Sequence, residues 1–201
     1  MLTVAIQAGG ESRRMGRDKA LMDFLGEPLI VRAIRRLSPI ADEIIVTTNT
    51  PDSYRFLGLP LFPDLKPGRG ALGGLYTALV SAKNPLVAVV ACDMPFASPS
   101  LLTFGYDQLT QSGDDVAIAE AGDGFLEPLH AIYRRETGLP AIEKAIAADK
   151  WKVIAWFPDV KVRVINKDEV SRFDPEHLAF LNLNTPEELA AAEEIARKHN
   201  E

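Results

Sequence analysis

Short apolar runs, each closed by a glycine or proline turn, recur along the first half of the chain. The runs from Leu2 to Ile6 and from Leu86 to Ala91 contain almost no polar residues. Runs without polar alternation are typical of parallel strands that are covered on both faces. Glu43 to Thr48 predicts another buried strand, and Leu59 to Phe62 predicts a short one.

Segments with helical spacing lie between these runs. Residues 29–37 place five apolar side chains on one face and predict that Arg32, Arg35 and Arg36 point outward. Further helices are predicted after residue 74 and over residues 100–109. Another is predicted from Thr185, whose Thr-Pro-Glu-Glu sequence has the residues of a capping box.

The second half of the chain predicts a different strand arrangement. Residues 116–120 and 126–133 form apolar runs on either side of a Gly-Asp-Gly turn, which favours an antiparallel pair. Together with the earlier alternation of strands and helices, this pattern predicts an α/β fold. The central sheet should be mostly parallel, with an antiparallel extension.

The composition restricts the class of protein. The 201 residues suit a single domain over residues 1–201, and 47% hydrophobic with 25% charged residues is ordinary for a globular protein. No stretch approaches the roughly 18 apolar residues of a membrane span, and Met1 to Ile6 is too short for a secretory signal. One cysteine, Cys92, excludes an intrachain disulfide, and the net charge of −6 disfavours general nucleic-acid binding. We therefore expect a cytoplasmic protein without membrane or nucleic-acid partners.

The positive charge is concentrated near the N-terminus. Four cations fall within residues 13–19, directly after the pair Gly9 and Gly10. Flexible glycine backbone beside clustered cations suits a polyphosphate ligand. The spacing fits neither a P-loop, because Arg17 follows Gly16, nor the G-x-G-x-x-G dinucleotide fingerprint.

Acidic residues follow two of the predicted strands. Asp93 follows the central run and Asp64 follows the short third strand. In open α/β sheets ligands bind at the carboxyl ends of the strands, so these loops should face a common crevice. Because Mg²⁺ is usually held by one or two carboxylates with water and phosphates, Asp93 is the first candidate ligand. The alternative is an aspartate that caps the turn before Pro95. The second glycine loop, residues 68–74, either closes over the bound ligand or only leads into a helix.

The pattern A-G-G-x-S-R-R-M-G-x-D-K-A-L at residues 8–21 resembles the signature of the molybdenum cofactor guanylyltransferase family. The resemblance is discontinuous: it is strongest over residues 4–37, recurs near residues 64–74, 91–95 and 182–189, and is weak between them. It implies a Rossmann-like three-layer sandwich. It also implies transfer of GMP from Mg·GTP to the phosphate of the molybdopterin cofactor, with release of pyrophosphate.

The resemblance assigns roles to individual residues. Arg13, Lys19 and Asp93 would be catalytic, with Asp93 also holding Mg²⁺ and Arg13 balancing charge on pyrophosphate, although the adjacent Arg14 could exchange roles with it. Asn182, in the N-L-N-T-P motif, would contact the acceptor, or the motif could only form a turn and N-cap. The nucleotide would be bound by Gln7, Ala8, Gly9, Gly10, Lys19, Asp64 and Asp93.

Two positions depart from the family pattern. Gln7 stands where leucine is usual, and Thr47 stands where relatives can have an asparagine that contacts the base, with Asn49 two residues on. By the same resemblance, the Gly9-Gly10 pair implies guanylyl rather than cytidylyl transfer, because related molybdopterin cytidylyltransferases tend to carry alanine and a single glycine there.

Three other functions stay open. The first is a CTP-dependent molybdopterin cytidylyltransferase, and the second is nucleotidyl transfer to another small phosphate, such as a sugar or lactyl phosphate. The third is a non-catalytic nucleotide-binding or cofactor-handover protein. The substrates implied by the resemblance are GTP and the molybdopterin cofactor. It also allows transient contact with molybdenum-insertion proteins or molybdoenzyme chaperones.

Overall fold

The computed structural model describes residues 1–9, 18–122 and 124–199. Within this part of the chain, seven strands form one sheet in the order β5-β4-β1-β6-β8-β7-β9, and β2 and β3 form a separate short hairpin. The strands are β1 (Leu2–Gln7), β2 (Asp23–Phe24), β3 (Glu27–Pro28), β4 (Glu43–Thr47), β5 (Leu61–Phe62), β6 (Leu86–Ala91), β7 (Val116–Glu120), β8 (Leu126–Arg134) and β9 (Val162–Ile165).

The strand directions confirm the predicted sheet. β1 pairs in parallel with β4 and β6, and β4 pairs in parallel with β5. β8 runs antiparallel to both β6 and β7, and β9 is parallel to β7. The sheet is therefore mostly parallel, with an antiparallel strand inserted after β6.

Helices cover both faces of the sheet and make three layers. They are α1 (Leu29–Leu37), α2 (Gly70–Ser81), α3 (Pro99–Ser112), α4 (Arg135–Ala147), α5 (Lys167–Val170) and α6 (Pro186–Lys198). Apolar residues of α1 and α3 share one core with one face of the sheet, and those of α2 and α4 share a second core with the other face. All six residues of β6 are buried, as an uninterrupted apolar run between two helical layers requires.

A third core lies beside the sheet. Phe24 of the hairpin packs with Phe96, Leu183 and apolar residues of α6. Thr185 caps α6 with the predicted capping box. Among the described residues, no helix is long and apolar enough to cross a membrane.

One arginine of α1 is placed differently from the prediction. Arg32 is only 2% exposed, because the hairpin and the segment after β6 cover the face of α1 that the sequence pattern assigns to solvent. Its Nε donates a hydrogen bond to the carbonyl oxygen of Pro95 at 2.9 Å, and its guanidinium lies 4.8 Å from the centre of the Phe24 ring. Arg32 thus ties α1 to the segment that follows the central strand.

His130 is a buried polar residue of β8. It is 2% exposed, and its Nε2 accepts a hydrogen bond from the backbone N–H of Ser98 at 2.9 Å. Its ring packs edge-on against Phe180. Burial disfavours the imidazolium form and lowers the pKa of His130 to about 4.

We expect His130 to make stability depend on pH. Because its pKa is lower in the folded than in the unfolded protein, the unfolded state takes up the proton first as pH falls. The stability is therefore fully present above about pH 6.5 and declines toward pH 4, by up to roughly 1.4 kcal/mol per pH unit. Urea unfolding at several pH values should show a flatter profile for His130→Gln, whose amide oxygen still accepts from Ser98. His199→Gln, at the exposed end of α6, is the control, and equal slopes for wild type and His130→Gln would contradict this account.

Candidate active site

The carboxyl ends of β1, β4 and β6 meet at one edge of the sheet. Gln7 is paired with Thr47 on one side and with Ala91 on the other. The backbone continues these ladders, since the N–H of Ala8 donates to the carbonyl of Thr47 at 2.9 Å and the N–H of Cys92 donates to that of Gln7 at 3.0 Å. The loops after these strands therefore begin at the same edge of the sheet, and β5, which is parallel to β4, ends there too, as predicted for the loops that carry Asp64 and Asp93.

Three side chains from distant parts of the chain converge at this edge. The Nζ of Lys19 donates a hydrogen bond to Oδ1 of Asn184 at 2.7 Å, and it lies 3.7 Å from Oδ2 of Asp93. The side chains of Lys19 and Asp93 are 19% and 20% exposed, so the ion pair is partly screened from water yet open to a ligand. A cation and a carboxylate at the end of a central strand can bind a phosphate and a metal ion respectively.

Local structure holds these side chains in place. Asp18 accepts a hydrogen bond from the N–H of Ala20, which closes the short helical turn that carries Lys19. The buried Tyr54 donates its hydroxyl to the other oxygen of Asp18 at 2.5 Å. On the opposite side, the N–H of Leu183 donates to the backbone carbonyl of Asp93 at 3.0 Å, which fastens the Asn184 segment beside the strand end.

Burial and charge set the protonation of this cluster. Burial raises the pKa of Asp93 above its usual value, and the positive charge of Lys19 opposes that rise. Cys92 is buried, and burial together with Asp93 raises the pKa of its thiol well above the ordinary range. A protonated, buried thiol is a poor nucleophile, so Cys92 serves as a packing residue.

The strand β4 brings a second pair of polar residues to the edge. The Nδ2 of Asn49 donates to Oδ2 of Asp64 at 2.9 Å, and the N–H of Asp64 donates back to Oδ1 of Asn49 at 3.1 Å. Thr47 is 2% exposed, which removes its side chain from the crevice. Of the two residues considered for base contact, Asn49 is thus the one with an exposed side chain.

Gln7 is placed on the α2 side of the sheet end. It is 6% exposed, and a Cβ added to Gly74 would come within 3.0–3.1 Å of its amide group. Its Nε2 has no hydrogen-bond partner among residues 1–9, 18–122 and 124–199. A buried donor without a partner costs about 1–3 kcal/mol, which is a reason to associate this side chain with a ligand rather than with the core. Ala8 is buried, and Gly9 is exposed without a positive φ.

The second glycine loop folds back onto the start of α2. Its Gly68 and Gly70 adopt positive φ angles of 78° and 54°, which glycine accepts without strain. A Cβ on Gly73 would lie 2.7 Å from the carbonyl oxygen of Lys66, so only glycine allows the loop to approach the helix so closely. Arg69 pairs with Asp149 at 2.6 Å and lies 4.5 Å from the centre of the Trp151 ring, which links the loop to the segment after α4.

The predicted site residues separate into groups. Lys19 and Asp93 form an ion pair. Gln7, Ala8 and Gly9 lie at the end of β1, and Asp64, which follows β5, is hydrogen-bonded to Asn49, which follows β4. Gly10 and Arg13 lie outside the described residues. Asn182 contacts the carbonyl of Phe180 at 3.4 Å, and Asn184, two residues later, is the asparagine that reaches Lys19. Asn184 belongs to the same N-L-N-T-P motif. The sequence therefore indicated this segment but did not indicate which of its two asparagines contacts Lys19.

Oxygen donors at this edge suit a hard divalent cation. Asp93 offers a carboxylate and Asn184 an amide oxygen, both of which are ligands that Mg²⁺ accepts. No group of three histidine, cysteine, aspartate or glutamate side chains able to hold a metal exists in the part of the chain that the structure describes. A cation bound here would complete its coordination with water and substrate phosphates, which is the usual arrangement for nucleotide-bound Mg²⁺.

Solved structures share the whole fold. The molybdopterin-guanine dinucleotide biosynthesis protein A of Archaeoglobus fulgidus superposes with a TM-score of 0.83 at 28% identity, covering 98% of this chain and 99% of that one. The 2-C-methyl-D-erythritol 4-phosphate cytidylyltransferase of Thermus thermophilus has the same fold, with a TM-score of 0.72 at 20% identity, covering 97% of this chain and 98% of that one. The three-layer fold and the site at its carboxyl edge place the chain in the class of α/β nucleotidyltransferases.

Sequence relatives narrow this class to a family. A family model for the MobA-like NTP transferase domain matches residues 4–160. A probable molybdenum cofactor guanylyltransferase of Carboxydothermus hydrogenoformans is 40% identical over 190 residues, covering 92% of this chain and 91% of the relative. A second, from Pelotomaculum thermopropionicum, is 38% identical over 194 residues, covering 96% and 93%. The chain belongs to the MobA-like NTP transferase family.

The contact between the second glycine loop and α2 predicts the effect of Gly73→Ala. The added methyl group would meet the Lys66 carbonyl at 2.7 Å and must displace backbone, so we expect a loss of about 1–3 kcal/mol in the free energy of unfolding. Gly105→Ala is the matched control in α3, because its nearest contact, Ile132 Cγ1, is 3.4 Å away. Urea unfolding should leave the control at wild-type stability or above it. A Gly73→Ala protein as stable as the wild type would show that the loop does not need this close approach.

Proposed function

We propose that this chain transfers GMP from GTP to the phosphate of the molybdopterin cofactor and so forms the guanine dinucleotide of that cofactor. An oxygen of the acceptor phosphate attacks the α-phosphorus of GTP and forms a new P–O bond. The bond from that phosphorus to the bridging oxygen of the β-phosphate breaks, and pyrophosphate leaves with the electron pair. The acceptor phosphate is already ionised near neutral pH, so the step needs no general base.

The convergence of Lys19, Asp93 and Asn184 is the observation that carries this proposal. Phosphoryl and nucleotidyl transfer depend on positioning the reactants and on offsetting their negative charge. The ammonium of Lys19 is positioned by Asn184 at 2.7 Å and by Asp93 at 3.7 Å. Because an ammonium group has three N–H donors, the third can donate to a phosphate oxygen. A binding protein that did no chemistry would have little use for a carboxylate so close to bound phosphates.

We propose Mg²⁺ as the metal of this reaction, held by Asp93 with Asn184 as a further oxygen donor. When bound, Mg²⁺ offsets the charge of the nucleotide phosphates and of the departing pyrophosphate. Lys19 contributes the fixed positive charge beside it. Arg13 is proposed to act on the pyrophosphate side, in the loop that follows β1.

The nucleotide is proposed to lie along the ends of β1, β4 and β5. Ala8, Gly9 and Gly10 supply backbone contacts, and Nε2 of Gln7, which lacks a partner in the described part of the chain, adds a donor beside them. Asp64, aligned by Asn49 at 2.9 Å, is proposed to contact the nucleoside. The acceptor is proposed to approach from the side of Asn182, beyond the Lys19 and Asp93 pair.

GTP is preferred over CTP for two reasons. The relatives at 40% and 38% identity are both named as guanylyltransferases, and the Gly9-Gly10 pair agrees with that specificity. We also propose, from the sequence, that residues 1–201 act as one cytoplasmic domain. Transient contact with molybdenum-insertion proteins or molybdoenzyme chaperones is part of the same proposal.

We expect Asp93→Ala and Lys19→Ala to lower turnover by about 10²–10³-fold, the usual loss when one preorganised electrostatic contact is removed. Pyrophosphate release from GTP with the molybdopterin cofactor is the assay, and CTP and other small phosphates are tested as competing pairs. Asp52→Ala and Lys83→Ala remove the same charges at exposed positions and should keep the wild-type rate. A normal rate from folded Asp93→Ala or Lys19→Ala protein would refute these roles, and release only from another pair would refute the substrates.

Nucleotide binding gives an independent prediction. Isothermal titration of the wild type should show tighter binding of GTP than of CTP, and Mg²⁺ should strengthen the binding of GTP. Asp93→Ala should lose the effect of Mg²⁺, because the carboxylate that holds the metal is gone. Preference for CTP, or GTP binding that ignores Mg²⁺ in the wild type, would contradict the assignment.

A further inference from the structure

A buried tyrosine connects the turn that carries Lys19 to the segment between β4 and β5. Tyr54 lies in a short 3₁₀ helix, Pro51–Leu57, and its side chain is fully buried in the core that α1 and α3 share with the sheet. Its hydroxyl donates to Oδ2 of Asp18 at 2.5 Å. Burial, together with this hydrogen bond, raises the pKa of the Tyr54 phenol well above its ordinary value, so the phenol keeps its proton and remains the donor.

The carboxylate of Asp18 uses both of its oxygens. Oδ1 accepts from the N–H of Ala20 at 3.1 Å, which caps the turn of Lys19, and Oδ2 accepts from Tyr54. The backbone carbonyl of Asp18 also accepts from the N–H of Leu21 at 3.2 Å, which closes the same turn. One side chain thus connects the backbone that carries Lys19 to a residue of the core.

The loop that leads into the helix of Tyr54 carries Asn49. Oγ1 of Thr48 accepts from the N–H of Thr50 at 3.2 Å, which closes this loop directly before the helix begins. Asn49 in turn donates to Asp64 at 2.9 Å. The helix of Tyr54 is therefore continuous with the part of the site that is proposed to contact the nucleoside.

A bound nucleotide would extend over both parts of the site. In the proposed reaction its phosphates lie at Lys19 and its nucleoside lies at Asp64. Because the nucleotide has a limited covalent length, the two parts must stand at a matching separation. A misplacement of about 1 Å in an enzyme site can lower the rate by about 10²-fold. Lysine has a long and flexible side chain, so placing its ammonium requires a well-fixed backbone at its base.

We propose that Tyr54 is a positioning residue of this site: through Asp18 it fixes the turn of Lys19 relative to the loop of Asn49. The inference rests on the proposed function for the reaction that this separation serves. Because the side chain of Tyr54 is fully buried, it acts through other residues rather than by touching the substrates. It keeps the cation that binds the phosphates at the correct distance from the residues that bind the nucleoside.

Tyr54→Phe is the variant that tests this role, because it removes the hydroxyl and leaves the ring in the core. Tyr133→Phe is the matched control. Tyr133 is also fully buried, in the core on the other face of the sheet, and its hydroxyl donates to the carbonyl of Pro128 at 2.6 Å. Each variant loses one hydrogen bond of a buried tyrosine. Urea unfolding of both variants therefore separates an effect on the site from a general loss of stability.

Asp18→Asn breaks the same link from its other end. The amide oxygen can still accept from the N–H of Ala20 and cap the turn, while an amide NH₂ replaces the oxygen that accepts from Tyr54. This second variant keeps the test valid if Tyr54→Phe does not fold.

The position of Lys19 can be followed without any substrate by NMR of protein isotopically labelled at the lysine Cε carbons. The Lys19 signal is identified by its absence from Lys19→Ala protein. In the wild type its ammonium makes a hydrogen bond of 2.7 Å and an ion pair at 3.7 Å, so we expect this signal to stand apart from those of exposed lysines. Tyr54→Phe and Asp18→Asn should move it toward the exposed lysines, and Tyr133→Phe should leave it in place.

Turnover shows whether Tyr54 acts through Lys19. We expect Tyr54→Phe to lower kcat by about 10-fold, a smaller loss than a misplacement of about 1 Å can cause, and Tyr133→Phe to keep the wild-type kcat. In a Lys19→Ala background the further effect of Tyr54→Phe should vanish, because the residue that it positions is gone. An equal fold-loss in both backgrounds would show that Tyr54 acts independently of Lys19 and would overturn the inference.

The outcomes separate this inference from the proposed function. If the wild type releases pyrophosphate from GTP and the Lys19 signal of Tyr54→Phe matches that of Tyr133→Phe, the positioning role is wrong and the proposed function stands. If no pair of nucleotide and acceptor is turned over, while the Lys19 signal moves in Tyr54→Phe and not in Tyr133→Phe, Tyr54 positions Lys19 and the proposed reaction is wrong.

Discussion

The site depends on the position of β6, which is buried between the parallel strand β1 and the antiparallel strand β8. Its uninterrupted apolar run packs against helices on both faces, so the end of the strand cannot move without disturbing two cores. The first polar residue after the strand is Asp93. Burial of β6 thus sets the position of the carboxylate, and the pairing of β1 with β6 brings Gln7 to the same edge of the sheet.

Contacts distant in sequence hold the rest of the site against this strand. The Asn184 segment is fastened by the hydrogen bond from the N–H of Leu183 to the carbonyl of Asp93. Arg32 is buried against Phe24 and donates to Pro95, which restrains the chain just after Asp93. The arginine behaves as part of the scaffold of the site. Among the described residues, Lys19, on a short capped turn, is the cation that forms an ion pair with Asp93.

The sequence best predicted the elements that depend on interactions between residues close together in the chain. Runs without alternation marked β1 and β6, and the capping residues marked α6, because burial on both faces and helix capping leave direct traces in the sequence. The rule that ligands bind at the carboxyl ends of the strands also predicted correctly that the loops carrying Asp64 and Asp93 lie at one edge of the sheet. Packing between elements that are distant in the sequence was harder to predict. Arg32 was predicted to lie on the surface, because nothing in the sequence of α1 itself indicates that a hairpin covers it.

The choice between neighbouring polar residues also needed the structure. Asn182 and Asn184 belong to one motif, and only the path of the chain past Asp93 decides which of them meets Lys19.

A crystal structure with GTP and Mn²⁺ would test the central claim most directly, because the anomalous scattering of manganese locates the metal independently of the nucleotide. The account predicts one strong anomalous peak coordinated by Asp93, with the α-phosphate of GTP beside it and the Nζ of Lys19 on the phosphates. A metal peak away from Asp93, or GTP phosphates bound outside the crevice at the carboxyl ends of β1 and β6, would contradict it.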